Sequence, residues 1–145
     1  MIDLSLRYSA SAVPLLRLTY VSRRLPQVSD DAMVNVLLSA SVRNYLAGVS
    51  AKIWFSPRFF AQVLEGSLGA VEPLYARICQ DARHEEVTCV DRLRSTPRTF
   101  VRPLTWHRVT GAPWSITCVP TEEADQPFEE ASEALIRRGP VTNTR

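Results

Sequence analysis

No stretch of the chain reaches the run of about 18 apolar residues that a membrane-spanning helix needs, so no membrane span is expected. The N-terminus, "MIDLSLRYSASAVPLLRL", lacks the charged start and long apolar run of a signal peptide. Cysteine is scarce and odd in number. Cys79, Cys89 and Cys118 form no C-x-x-C pair, which points away from a disulfide framework and toward reduced thiols in a cytoplasmic protein. His84 and His107 lie far apart and in no compact ligand spacing with a cysteine, so no metal site is expected. Positive charge is present but not gathered. The net charge is +2, almost all the basic residues are arginines, and they are scattered as on a solvated face, so no nucleic-acid partner is expected. There is no internal repeat and no low-complexity tract.

Apolar residues make up 46% of the 145, enough for one domain with a core and a short appendage. Residues 1–13 read as a leader, 14–110 as the domain, and 111–145 as an extension with one short helix in "PFEEASEALIRRG". "LLRLTYVSR" alternates, with Leu16, Leu18, Tyr20 and Ser22 on one face, and reads as a strand buried on that face. Ser29 or Asp30 can cap a helix in which Met33, Val36, Leu37 and Ala40 share a stripe, and Gly48 ends it. "VSAKIWF" and "FFAQVLE" form a hairpin around Ser56-Pro57-Arg58. A second helix follows, with Val71, Leu74, Tyr75 and Ile78 on one stripe and Pro73 set awkwardly within it. "EEVTCVDRL" is a fourth strand, and "FVRPLTWHRV" a fifth, which Pro103 confines to an edge or a bulge. The order β-α-β-β-α-β-β predicts an α+β sandwich of ferredoxin-like type, with two helices packed on one sheet.

The informative residue is Gln62. In "FFAQVLEG" both faces of the strand are apolar, and Gln62 sits between Phe60 and Leu64 on one of them. A buried amide without a partner costs roughly 1–3 kcal/mol. Tyr20 lies on the buried face of the first strand, and Asn44 extends the apolar stripe of the first helix. One phenol cannot satisfy two amides. A network of mutual hydrogen bonds is one reading of these three residues. A planar polar ligand with carbonyl and ring-nitrogen edges is the other.

The segments "LLRLTYVSR", "VRNYLAGVSA", "FFAQVLEG" and "LYARICQDARHEEV" together resemble the BLUF family of flavin-based blue-light sensors, in its short stand-alone type, from about Leu15 to Phe100. The resemblance implies FAD, or else FMN or riboflavin, held between the two helices over the sheet. It implies Tyr20 as the electron donor, Gln62 as the switching amide, and Asn44 on the flavin carbonyl and imide edge. By the same resemblance Ser22 stands near the glutamine, and Arg83 and His84 stand beside the flavin. It also implies a homo-oligomer. The protein is expected not to be an enzyme and to signal through an unidentified downstream protein.

The chain departs from the family pattern at "GVSA", at "SPRF" and in the fifth strand. There Pro103 takes a position usually held by Trp, and Thr105 one usually held by Met. Thr105 and Trp106 are the expected output residues, Trp106 turning inward only if the strand carries a bulge or slips register. The main alternative is a flavin-free relative kept as a protein-interaction module. An acylphosphatase-type hydrolase is disfavoured because "SRRLPQVSD" has arginines but no glycine.

Overall fold

The computed structural model describes residues 15–109 and 127–142; the expected leader and Cys118 lie outside the described residues. The elements are β1 (Leu15–Arg24), α1 (Asp30–Ala47), β2 (Ser50–Phe55), β3 (Phe59–Ser67), α2 (Leu68–Cys79), β4 (His84–Thr96), β5 (Thr105–Arg108) and α3 (Phe128–Arg138). The strands form one sheet in the order β4-β1-β3-β2-β5. All neighbours are antiparallel except β2 and β5, which run parallel. This is the ferredoxin-like α+β sandwich that the pattern predicts.

Local chemistry sets the boundaries. Ser29 caps α1, its hydroxyl accepting from the Ala32 amide. Gly48 ends α1 at φ 72°, a left-handed conformation open to glycine at little cost, and donates back to the Asn44 and Tyr45 carbonyls. Pro73 is tolerated inside α2 on its exposed side, although it has no N–H to give the Gly69 carbonyl. A side chain at Gly66 would place its Cβ 3.2 Å from methyl groups of both Val49 and Val71, so this glycine lets β3 pass close beneath the start of α2.

Two cores lie on opposite faces of the sheet. Leu16, Leu18, Tyr20, Phe60 and Leu64 pack with Met33 and Leu37 of α1 and Val71 of α2. On the other face, Val21, Phe59, Ala61, Val63 and Val90 pack against Phe128, Ala131 and Leu135 of α3. The expectation that β1 buries one face is thereby corrected. Thr19 and Val21 are buried as completely as Leu18, because α3 covers the face that the two crossover helices leave open. For the same reason β3 is apolar on both faces.

Three charged residues among those described are buried: Arg24, Glu65 and Asp91. Arg24 is 7% exposed; its guanidinium donates to the Ser56 and Val28 carbonyls and to Asp30, tying the end of β1 to the start of α1. Glu65 is fully buried. It accepts from Arg17 Nε at 2.9 Å and from the amides of Thr99 and Phe100 at 2.8 and 2.7 Å. Those contacts fix the connection from β4 to β5 against β3. The fifth strand is shorter than the sequence suggests. Pro103 cannot donate to a ladder, and pairing begins only at Thr105 opposite Lys52.

Candidate flavin site

Tyr20 and Gln62 are directly paired across β1 and β3 and therefore point to the same face. The phenol donates to Gln62 Oε1 at 2.6 Å, and both residues are buried. Burial raises the Tyr20 pKa well above the ordinary phenol range, with Tyr75 and Asp81 adding to the effect, so the ring stays a neutral hydrogen-bond donor. Because Oε1 is taken by Tyr20, the two N–H groups of Gln62 remain; among the described residues they have no partner. Asn44 is equally buried, but it does not join Tyr20 and Gln62. Its Nδ2 donates to the Pro103 carbonyl at 2.9 Å. The mutual network of three side chains is thus only half formed.

All three residues line one cavity between α1, α2 and the sheet. Leu37, Ile53, Phe60, Leu74 and Leu104 give it apolar walls; Arg43, Asp81, Arg83 and His84 stand among its polar lining. The cavity measures about 110 Å³ and is open to solvent at one side. The donor set suits a planar ligand. An amide with free N–H groups and a second amide with a free carbonyl converge on an apolar slot, which matches the edge and faces of a planar heteroaromatic ring.

His84 is held from both sides. A carbonyl only accepts, so Nε2 carries the proton toward the Ile78 oxygen at 2.6 Å. In the neutral ring Nδ1 then accepts from the Ser22 hydroxyl at 2.7 Å. Ser22 therefore positions His84 and is not a wall of the cavity. The imidazole packs edge-on against Tyr20 and Phe60. Arg83 is exposed at the cavity and pairs with Asp81.

The expected output residues lie elsewhere. Thr105 is paired with Lys52, on the sheet face away from the cavity, and Trp106, paired with Ile53, is 39% exposed. Its register with Ile53 puts Trp106 on the same sheet face as Leu104, without a bulge, but at the exposed edge; neither Thr105 nor Trp106 lines the cavity. Leu104 does, at 6% exposure. Parallel pairing of Thr105 with Lys52 sets Leu104 on the inner face, one residue before the strand begins. Arg43 is also missed by the sequence reading. Its position beside Asn44 is the one signal that could have found it.

Residues 15–104 match the BLUF family, "Sensors of blue-light using FAD", and the chain belongs to that family of flavin-binding blue-light sensors. It is 31% identical over 121 residues to photoactivated adenylate cyclase subunit alpha of Euglena gracilis, covering 83% of this chain. Subunit beta of the same organism matches at the same identity and coverage. The chain spans only 11% and 13% of those two relatives. Among solved structures, the dark state of BlrB, a BLUF protein, superposes with a TM-score of 0.65 at 23% identity, covering 88% of this chain and 96% of that one. The photo-activated state of BlsA gives 0.64 at 19% identity, covering 90% and 98%. At these identities the superpositions show a shared fold. Among the described residues no helix is long and apolar enough to cross a membrane.

Proposed function

We propose that this chain senses blue light with FAD seated between α1 and α2, the ring edge on Asn44 and Gln62. When bound, the flavin absorbs the photon and becomes a strong oxidant. Tyr20 is the nearest donor of an electron, and its proton already points at Gln62 Oε1. Proton transfer to Oε1 followed by rotation of the amide would exchange the two ends of Gln62. Nε2 would then donate to the tyrosine oxygen, and the oxygen end would face the cavity. When electron and proton return to Tyr20, the exchanged amide persists, because its new hydrogen bonds hold it. No covalent bond to the cofactor is made or broken. Asn44 holds the ring edge with the group it does not spend on Pro103. Exposed Arg43 and Arg83 at the cavity would meet a flavin phosphate, which supports FAD or FMN over riboflavin.

The observation that carries this reading is the Gln62 amide, with one end bonded to Tyr20 and the other unpaired toward the cavity. The downstream effector is another domain or protein, as the cyclase names of the relatives suggest. The chain itself contributes recognition and the switch, and performs no catalysis of its own. An absorption spectrum of the purified protein, before and after blue light, tests the proposal. A flavin spectrum that shifts reversibly to the red supports it. No flavin absorption after reconstitution with excess FAD returns the chain to the flavin-free reading.

A further inference from the structure

Helix α1 is apolar on two sides. Its inner side buries Met33, Leu37 and Asn44. Its outer side carries Val34, Leu38, Val42 and Leu46, exposed 46%, 53%, 61% and 68%. Spaced four apart, these side chains form one continuous ridge along the helix. A single exposed aliphatic residue needs no explanation, but four in line on one helix do. No charged residue occurs between Asp31 and Arg43. Charge at the rim and none at the centre is the composition of an interface core.

The order of the ridge residues points to the occupant. They alternate small and large: Val34, Leu38, Val42, Leu46. Consider a second α1 related by a two-fold axis between Leu38 and Val42. Val34 of one copy then lies beside Leu46 of the other, and Leu38 beside Val42. Every valine meets a leucine, as close packing requires. Parallel pairing would set leucine on leucine and valine on valine, alternating crowding with voids. Ridges of this spacing interlock with axes crossed at about 50°. Ser39 and Ser41 flank the centre and are small enough to let the backbones approach. The antiparallel sense also sets the helix dipoles opposed.

We propose that this ridge is where two copies of the chain associate, α1 against α1, antiparallel. The same helix lines the cavity with its inner side.

Sedimentation of the full chain over a range of concentrations tests the proposal. The wild type is expected to dimerise. Leu38→Glu and Val42→Lys, each alone, place a charge in the apolar centre and are expected to weaken the dimer by about tenfold or more. Both sites are exposed, so far-UV circular dichroism should not change. Mixing the two variants in equal amounts is expected to restore dimerisation, since the introduced carboxylate of one copy faces the introduced ammonium of the other. A wild type that is monomeric at every concentration overturns the proposal and leaves the ridge to a different protein or to another segment of this chain. A dimer that neither substitution weakens places the contact elsewhere and overturns it too. Loss of the dimer in both variants without rescue on mixing overturns the two-fold register.

Discussion

The Tyr20 hydroxyl and Gln62 Oε1 are 2.6 Å apart because their residues are direct partners in the antiparallel register of β1 and β3. The contact is built into the sheet and needs no loop to bring the groups together. It leaves only one choice open, namely which end of the amide faces the phenol. Tyr20→Phe removes the donor, and Gln62→Leu removes the amide. Each is expected to abolish the light-induced red shift of the flavin band while the protein still purifies with flavin. A normal, reversible shift in Gln62→Leu would exclude the amide as the switch.

The state of Tyr20 has its own signature. Its pKa is raised, first by burial, so the folded protein keeps the proton on the phenol as pH passes the ordinary value of 10.0. The red-shift amplitude is therefore expected to stay constant through that value, for as long as the fold persists. The unfolded chain would ionise there, so the tyrosine contributes stability below pH 10.0 that declines above it. Amplitude and denaturant midpoint, measured on the same samples, separate the two effects.

Asn44 acts at two places. It lines the cavity and also donates to the Pro103 carbonyl. Asn44→Ala is expected to weaken flavin binding by about tenfold, the equivalent of one or two net hydrogen bonds of roughly 0.5–1.5 kcal/mol each. It should also speed amide hydrogen exchange around residues 101–105, even without flavin. Titration with FAD and exchange on the flavin-free protein read the two effects independently.

The pairing of Tyr20 with Gln62 was only partly legible in the sequence. Alternation placed each on a buried face, but register depends on which strands become neighbours, and that is decided by the whole sheet. The two-sided apolar pattern of β3 did signal that something covers its second face. The amphipathic sequence around Phe128 signalled a helix. Neither stated that the one covers the other. The expected output residues, Thr105 and Trp106, stand outside the cavity lining for a definite reason. Proline removes a ladder donor, so the strand starts after Pro103, and its register with β2 turns Leu104 inward and Thr105 outward. Position counting from a family pattern cannot see such a change. Glu65 escaped notice because a charged residue near a strand end usually reads as exposed, and its backbone partners come from a distant loop.

Leu104, not Trp106, is expected to feel the cavity. Trp106→Ala removes a half-exposed ring and should leave the red shift and its dark decay nearly unchanged. Leu104→Ala removes a buried wall, should cost about 2–5 kcal/mol of stability, and should alter the decay of the lit state. Flash spectroscopy of the two variants checks the assignment. A large kinetic change in Trp106→Ala with none in Leu104→Ala would reverse it.

Helix α3 is fastened to β1 by a titratable contact. Arg23 Nη1 lies 2.5 Å from Glu133 Oε2. That guanidinium, first through its hydrogen bond, lowers the Glu133 pKa from 4.5 to about 2. A carboxylate whose folded pKa is depressed contributes stability above its unfolded value, and this is lost as pH falls toward the folded value. Docking of α3 is therefore expected to weaken between pH 4.5 and about 2. The two side chains are 25% and 26% exposed, so the effect should be modest and should shrink in high salt. Glu133→Gln should flatten this part of the pH profile, followed by hydrogen exchange in residues 128–138.

The last expectation concerns the connection between the cavity and the second core. The segment from Arg98 to Leu104 is held at one end by Glu65, which accepts from the Thr99 and Phe100 amides, and at the other by Asn44 on Pro103. Arg98 adds bonds to the Ser50 hydroxyl and the Gly48 carbonyl. Phe100 packs into the core beneath α3, while Leu104 stands in the cavity wall. One short segment thus touches both faces of the sheet, and Glu65 is the anchor about which it is fixed. Glu65→Ala would leave Arg17 and two backbone amides without their acceptor. Breaking such a buried pair costs about 3–5 kcal/mol, which urea unfolding can measure. Glu65→Gln is the gentler probe, because it keeps an oxygen for the amides and discards the charge. In that variant the red shift of the flavin band should form as in the wild type, since Tyr20 and Gln62 lie on the opposite face. Any light-driven change in hydrogen exchange at α3 should diminish. A variant that keeps the full change at α3 would show that the Glu65 anchor does not carry it.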